Sequence, residues 1–345
     1  MQRIIKPSLW ITKRSSKIHQ KNGLYRTKYL IRLAFNNIQS KDHIFLGTNI
    51  KNIDVELEIT NNFNAYQLLS LLQKQRKASS LRLTISPVGF IEEGLEYIDA
   101  KQYINDCAHR LSTLKLKKLD VTISGFVFTN LNVFMNNISK MRSLKELSLN
   151  FVDNLFRADH SEEAFPKYLQ RMNNLEGLQL KFLAEDQTEV RIARDYFERI
   201  FQLQNLKRIY LGISTNFEQD FLDDITTGLK CRRDLKEFGL ELIDSYVEPR
   251  DGESIKPSRL LIGIQLNKDL EKLVFEPNIY PPLQTKYINN IIETIAKLPL
   301  KSLVLSLAPG ENLLTTSYGE SFEERKVKEI SKSLTRLKEL KSLTI

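Results

Sequence analysis

Apolar residues recur along this chain in one spacing, Φ-x-x-Φ-x-Φ, where Φ is apolar. Ile50/Ile53/Val55, Ala78/Leu81/Leu83, Leu116/Leu119/Val121, Leu144/Leu147/Leu149 and Leu175/Leu178/Leu180 meet it. So do Leu206/Ile209/Leu211, Leu235/Phe238/Leu240, Leu270/Leu273/Phe275, Leu300/Leu303/Leu305 and Leu340/Leu343/Ile345. The third positions of these ten matches fall 28 to 40 residues apart. A period in that range is the mark of a repeat array. Most matches continue the alternation by one further apolar residue, as at Leu57, Ile85, Ile123, Phe151, Phe182, Ile213, Leu242 and Leu307. Side chains alternate across a strand, so each match predicts a short strand with one buried face.

Between the strands the period changes. Val190, Ala193, Phe197, Ile200 and Phe201 recur at steps of one to four residues, with Arg191, Arg194, Asp195 and Glu198 between them, and Ile288, Ile291, Ile292, Ile295 and Leu298 do the same. These spacings predict amphipathic helices over 188–203 and 286–298, with weaker ones at 94–113, 130–141, 161–172, 218–230 and 320–338. Each unit is then a strand, a loop and a helix, and only stacked units bury both apolar faces. Strand–helix–strand connections require parallel strands. Helices are thicker than strands, so the stack is expected to bend, with strands on the concave side and helices on the convex side. A doubly wound α/β domain alternates in the same order, but its strands are apolar on both faces. Here the intervening residues are polar, among them Asp120, Thr122, Ser148, Asn150, Gln179 and Lys181.

Segments such as Leu144-Lys-Glu-Leu-Ser-Leu149 and Leu116-Lys-Lys-Leu-Asp-Val121 resemble the leucine-rich-repeat family, within it the long, helix-containing ribonuclease-inhibitor-like class. The resemblance covers about residues 50–345 and implies an α/β solenoid, a horseshoe of about ten irregular repeats used for protein binding. The family usually has Asn or Cys three residues after the third Φ. Of the positions here (Glu58, Ser86, Ser124, Val152, Leu183, Ser214, Ile243, Asn278, Ala308), Asn278 alone matches.

The same alternation names the exposed strand residues. Those expected to contact a partner are Arg82, Asp120, Thr122, Asn150, Gln179, Lys181, Tyr210, Glu241 and Glu276. With Asp54, Glu56 and Glu58 the face is mixed and slightly acidic. A nucleic-acid surface needs cations for phosphates and aromatics for stacking, so a protein partner is expected. Tyr210, beside Lys181, is the anchor proposed on composition.

Charge changes the picture at one end. The chain carries +9 overall, yet residues 1–41 hold ten Lys/Arg and no acid, so 41 basic face 42 acidic side chains in the rest. The segment 1–49 does not fit the repeat. Its basic arm includes Arg3, Lys6, Lys13, Arg14, Lys17 and Lys21. Three readings remain open. One is a mitochondrial presequence, which would favour a mitochondrial over a cytoplasmic location. The others are a retained arm for an acidic surface or RNA, and a cap whose Leu30–Phe35 stretch covers the first repeat. At the other end the sequence stops within its tenth strand, and a partner is expected to cover that repeat.

Nothing in the sequence assembles into a reaction centre. There is no phosphate-cradling glycine motif, no His-Glu-x-x-His and no nucleophile elbow. His109 lies two residues from Cys107 on a predicted helix, a spacing that puts them on different faces. His160, with Asp159, Glu162 and Glu163, reads as helix capping. No catalytic residue, cofactor or metal is expected. Cys107 and Cys231 make no disulfide framework, and no stretch is long and apolar enough to span a membrane. The expectation is a non-enzymatic interaction scaffold or accessory subunit. The alternatives are an RNA or ribonucleoprotein binder acting through the basic arm, and a substrate receptor of a modification complex.

Overall fold

The computed structural model describes residues 10–14, 28–34, 52–59, 78–87, 98–99, 101–128, 131–152, 155–156, 164–183, 196–214, 217–248, 258–280, 285–306, 335 and 337–344. The chain forms two compact units, Met1–Ser161 and Glu162–Ile345.

In the first unit a sheet runs β1 (Trp10–Arg14), β2 (Lys28–Ala34), β3 (Asn52–Ile59), β4 (Ser80–Pro87), then, past the two-residue strand β5 (Ile98–Asp99) and helix α1 (Lys101–Leu111), β6 (Lys118–Ser124). Beyond β7 (Phe126–Phe128) and α2 (Asn132–Ile138) the last strand that this unit gives to it is β8 (Glu146–Val152). All neighbours pair in parallel except β1, which is antiparallel to β2. The strands β5, β7 and β9 (Leu155–Phe156) form a second, short parallel sheet. Gly125, at φ 75°, makes the turn from β6 into β7, and its N–H donates to Val152 O at 3.1 Å. A side chain at that φ would be strained.

In the second unit, after α3 (Ala164–Leu169), the sheet runs β10 (Gly177–Leu183), β11 (Arg208–Ser214), β13 (Glu237–Glu248), β14 (Lys272–Tyr280), β15 (Ser302–Leu305), β16 (Ser342–Thr344). The helices α4 (Tyr196–Phe201), α5 (Gln219–Cys231), α6 (Ser258–Gln265) and α7 (Thr285–Ile295) stand between successive strands, with the two-residue strand β12 (Phe217–Glu218) beside β13. Consecutive helices pack on one another from α3 to α7, as α1 does on α2.

In both units the strands therefore keep chain order, parallel and alternating with helices. A doubly wound sheet would reorder its strands about a switch point. Burial agrees with one packed face: β8 reads half-buried and buried in strict alternation, and β6 follows the same rule after its first residue. The register holds the second Φ of every repeat in one row, Ile53–Leu81–Leu119–Leu147 in the first unit and Leu178–Ile209–Phe238–Leu273–Leu303–Leu343 in the second. From Leu81 to Leu303 every member with a described side chain is buried. Each such Leu or Ile withdraws enough apolar surface to contribute about 1.5–3 kcal/mol.

The helix faces follow the same economy. On α1, Ile104, Cys107, Ala108 and Leu111 are buried at i, i+3, i+4 and i+7; on α5, Leu222, Ile225, Thr226 and Leu229 are. The turn from helix to strand repeats as well. Met141, Met172, Leu203 and Leu337 are each followed, three residues later, by a Leu whose N–H donates back to their carbonyl at 3.0–3.3 Å.

Residues 1–49 were expected outside the repeat, but their described parts belong to the sheet. Tyr29, Ile31 and Leu33 stand in register with Ile53, Val55 and Leu57, so β2 is a further strand of the same series. The template misses it because Arg26 occupies the first Φ.

Candidate functional site

The exposed side of the strands carries the residues singled out from the sequence. In the first unit four of them meet. Arg82 Nε donates to Asp120 Oδ2 at 2.8 Å, across the β4–β6 register that sets the two opposite one another. Asn150 Nδ2 stands 3.2 Å from both Asp120 Oδ1 and Thr122 Oγ1, and 3.3 Å from Ser148 Oγ. The result is a polar network over β4, β6 and β8. Arg82 keeps 54% of its side chain in water, so the ion pair contributes less than about 1 kcal/mol. Its value lies in fixing orientation.

In the second unit the long side chains lie flat across their neighbours. Lys181 on β10 faces Gly212 on β11, and Gly212 faces Glu241 on β13. The Lys181 stem crosses the glycine: a Cβ at Gly212 would sit 2.8 Å from its Cγ. The ammonium then pairs with the Glu241 carboxylate, two strands away, a span of about 10 Å at ordinary strand spacing. Tyr210 does the same one position earlier. Its ring covers Gly239, where a Cβ would meet Cδ1 at 2.3 Å, and its hydroxyl donates to the Glu237 carboxylate. The Lys272 ammonium stands 5.2 Å from the ring centroid and 3.9 Å from Glu237 Oε2. Burial, then the hydrogen bond to Glu237 and its charge, push the Tyr210 hydroxyl well above the ordinary tyrosine range. Tyr210 is therefore a hydrogen-bond donor with no ionised form near neutral pH.

Tyr210 and Lys181 are neighbours on the face but not partners, since each is tied to a different carboxylate. Gln179 is opposite Tyr210, and Glu276 is opposite Glu241. Of the basic arm, Lys13 and Arg14 lie in β1, opposite Tyr29 and Lys28. Arg3, Lys6, Lys17 and Lys21 lie outside the described residues. Further along this sheet edge, β2 places Arg32 opposite Glu56 of the acidic strand β3, which places Asp54 opposite Arg82. The acid-free N-terminal segment thus supplies a basic neighbour, in register, to a strand with three acids.

The edge where the strands begin was missed in the sequence. The residue after each first Φ forms a column of backbone hydrogen bonds. In the second unit Lys207 N donates to Glu176 O, Lys236 N to Lys207 O, Glu271 N to Lys236 O and Lys301 N to Glu271 O, all at 2.8–2.9 Å. Their side chains pair by charge: Lys207 with Asp234, Lys236 with Asp269 at 3.4 Å, Lys301 with Glu271 at 2.9 Å. Burial works to raise the Asp234 carboxyl, but Lys207 and Arg232 outweigh it and hold it below the ordinary value. Behind this edge Arg232 is buried. Its guanidinium donates to the carbonyls of Leu203 (2.5 Å), Gln204 (3.2 Å) and Leu206, and Nε lies 3.0 Å from Asp234 Oδ1. The alternating charges flanking the first Φ were the available signal.

On the helices, Cys107 is buried and His109 exposed, the different faces their spacing predicts. Burial, with Asp106 nearby, pushes the Cys107 thiol up to about 12. His160 lies outside the described residues. Among the described residues no three His, Cys, Asp or Glu side chains cluster closely enough to hold a metal ion, and no helix is long and apolar enough to cross a membrane. No protein-family model and no curated protein matches the chain.

Proposed function

We propose that this chain is a non-enzymatic protein-interaction scaffold, or accessory subunit of a larger assembly, built as a leucine-rich-repeat horseshoe with its strands on the concave side. One observation supports it above the others: in both units parallel strands in chain order leave a face of half-exposed polar side chains, braced by their neighbours. A braced surface loses little side-chain entropy when a partner docks. Tyr210 adds a large amphipathic contact area whose ring is already fixed.

The test is affinity capture of the tagged full-length chain with mass spectrometry, alongside two double variants of the face: Arg82→Ala/Asp120→Ala, which removes an ion pair, and Lys181→Ala/Tyr210→Ala, which removes two neighbouring side chains. The expected result is loss of a reproducible protein set from at least one variant that keeps the wild-type circular dichroism. Capture of the same proteins by all three chains would show that the strand face is not the contact surface.

A further inference from the structure

The strand register of the second unit sets Tyr210, Gly239, Val274, Val304 and Thr344 in one row across the polar face. The Tyr210 ring lies over Gly239, and Val274 and Val304 are half-exposed. The middle of this face is therefore an apolar strip, a ring and two valines, about 14 Å long from β11 to β15. Glu237 borders it on one side, and Glu241 and Glu276 border it on the other.

Two of these carboxylates are engaged from within the chain. Glu237 takes the Tyr210 hydroxyl and the Lys272 ammonium, and Glu241 takes Lys181 through Oε2. Glu276 is the exception. It is half-buried and stands directly opposite Glu241, yet its carboxylate has no ion pair or hydrogen bond among the described residues. Like charges so placed, about 5 Å apart, repel one another. The Lys181 ammonium relieves one of the two, and the other stays without a cation at the border of an apolar strip.

Val274 comes two residues before Glu276 on β14, about 7 Å away along the strand. An arginine side chain spans that distance, with its methylenes on apolar surface and its charged end at a carboxylate. We propose that this strip receives an arginine of a protein partner, its stem on Val274 and Val304 and its guanidinium between Glu276 and Glu241. The proposal rests on the scaffold reading above and names the residue that the partner brings. Arginine suits the site better than lysine for two reasons. Its planar fork can bridge carboxylates on adjacent strands, and a guanidinium gives up its water more readily than an ammonium. Phosphate is disfavoured here, since three carboxylates border the strip.

The experiment is methyl NMR of the full-length chain with labelled valines, the two signals being assigned through Val274→Ile and Val304→Ile. The probe is acetyl-Gly-Leu-Arg-Leu-Gly-amide, and two companion peptides carry lysine or norleucine in place of its arginine. Both valine signals should move saturably with the arginine peptide, and the norleucine peptide should bind at least about fivefold more weakly. Glu276→Gln keeps the shape of the side chain and, with wild-type circular dichroism, should weaken the arginine peptide about three- to tenfold. Glu293→Gln, the same change at an exposed site on α7, should leave arginine binding within about twofold. Valine signals that stay still overturn the proposal, as does arginine binding that ignores Glu276→Gln or falls equally in the Glu293 control. A lysine peptide that binds as tightly as the arginine peptide overturns it too. Each of these failures leaves the scaffold reading to its own capture experiment.

Discussion

Gly228 lies inside helix α5, where intrinsic propensity makes alanine the better residue by about 1 kcal/mol. The packing predicts the opposite sign. A Cβ on Gly228 would stand 2.3 Å from Phe201 Cδ2, 2.7 Å from Cγ and 3.0 Å from Cβ. Carbon atoms rest at about 3.5–4.0 Å, so the shortfall exceeds an ångström. The neighbour cannot give. Phe201 is fully buried, and its ring sits 6.2 Å, centroid to centroid, from that of buried Phe238. Helix α5 must then move off α4 and lose contacts along its whole apolar face. Overpacking of this kind costs about 1–3 kcal/mol. The ring is rigid and closed in, which places Gly228→Ala in the upper half of that range; set against the propensity gain, the variant should be destabilised by about 1–2 kcal/mol. The assay is urea unfolding followed by circular dichroism, with Thr227→Ala as control. Thr227 is the next residue on the same helix and is exposed, so its substitution should be neutral within about 0.5 kcal/mol. Adding Phe201→Leu should restore part of the Gly228→Ala loss, since the two changes share one space. A Gly228→Ala midpoint at or above wild type would refute the close approach of α5 to Phe201.

Three further outcomes follow from the edge and the helices. Arg232→Ala removes the guanidinium from three carbonyls of the preceding turn and leaves a cavity behind it, and should cost about 2–4 kcal/mol in urea unfolding. Arg232→Met, which copies the side chain found at Met141 and Met172, should cost roughly half as much; a Met variant as stable as wild type would mean that the carbonyl contacts carry no weight. The Asp234 carboxyl titrates below its ordinary value in the folded chain, so its contribution is present above about pH 4 and lost as pH falls through the carboxylate range. The stability gap between wild type and Asp234→Asn should therefore close on acidification, and a gap independent of pH would contradict the Lys207 and Arg232 pairing. Of the two thiols, the exposed Cys231 should react readily with a disulfide reagent at pH 8 while Cys107 reacts only on unfolding; two fast thiols would show that α1 is not packed as described.

The strand series was legible because burial imposes a period of two on it, and the second Φ of all ten template matches lies on a strand of the structure. Where the local pattern breaks, sequence reading fails for identifiable reasons. The β2 strand was lost because a single position, Arg26, departs from the template while Tyr29, Ile31 and Leu33 keep the register. Helix α6 was missed because Leu260, Leu261, Ile262, Gly263 and Ile264 are continuously apolar and show no helical period. In the structure Ile262 points out, 49% exposed, while the other four are buried. The buried Arg232 and Asn267 could not be recognised as polar substitutes for Met and Leu until the turn shared by Met141, Met172, Leu203 and Leu337 had been seen as one geometry. The face residues were placed correctly by alternation, but their pairing was not. Lys181 with Glu241 skips a strand, a partnership that depends on the bare backbone of Gly212.

That dependence bears on how the face can act. Two glycines on the polar face of the strands, Gly212 and Gly239, both buried under the side chains that cross them, let Lys181 and Tyr210 lie down rather than stand up. The surface a partner meets in the second unit is then the side of a lysine stem and the face of a tyrosine ring, each with its polar end already engaged. Such a surface is flatter and more apolar than the sequence of polar letters suggests. A partner that buries it gains hydrophobic contact without having to desolvate an unpaired charge, the circumstance in which a charged side chain costs binding energy. Filling either glycine would raise the side chain above it and free its carboxylate partner, altering shape and charge together. Gly212→Ala and Gly239→Ala should therefore disturb partner capture more than Gln179→Ala, although neither glycine offers a side chain to touch.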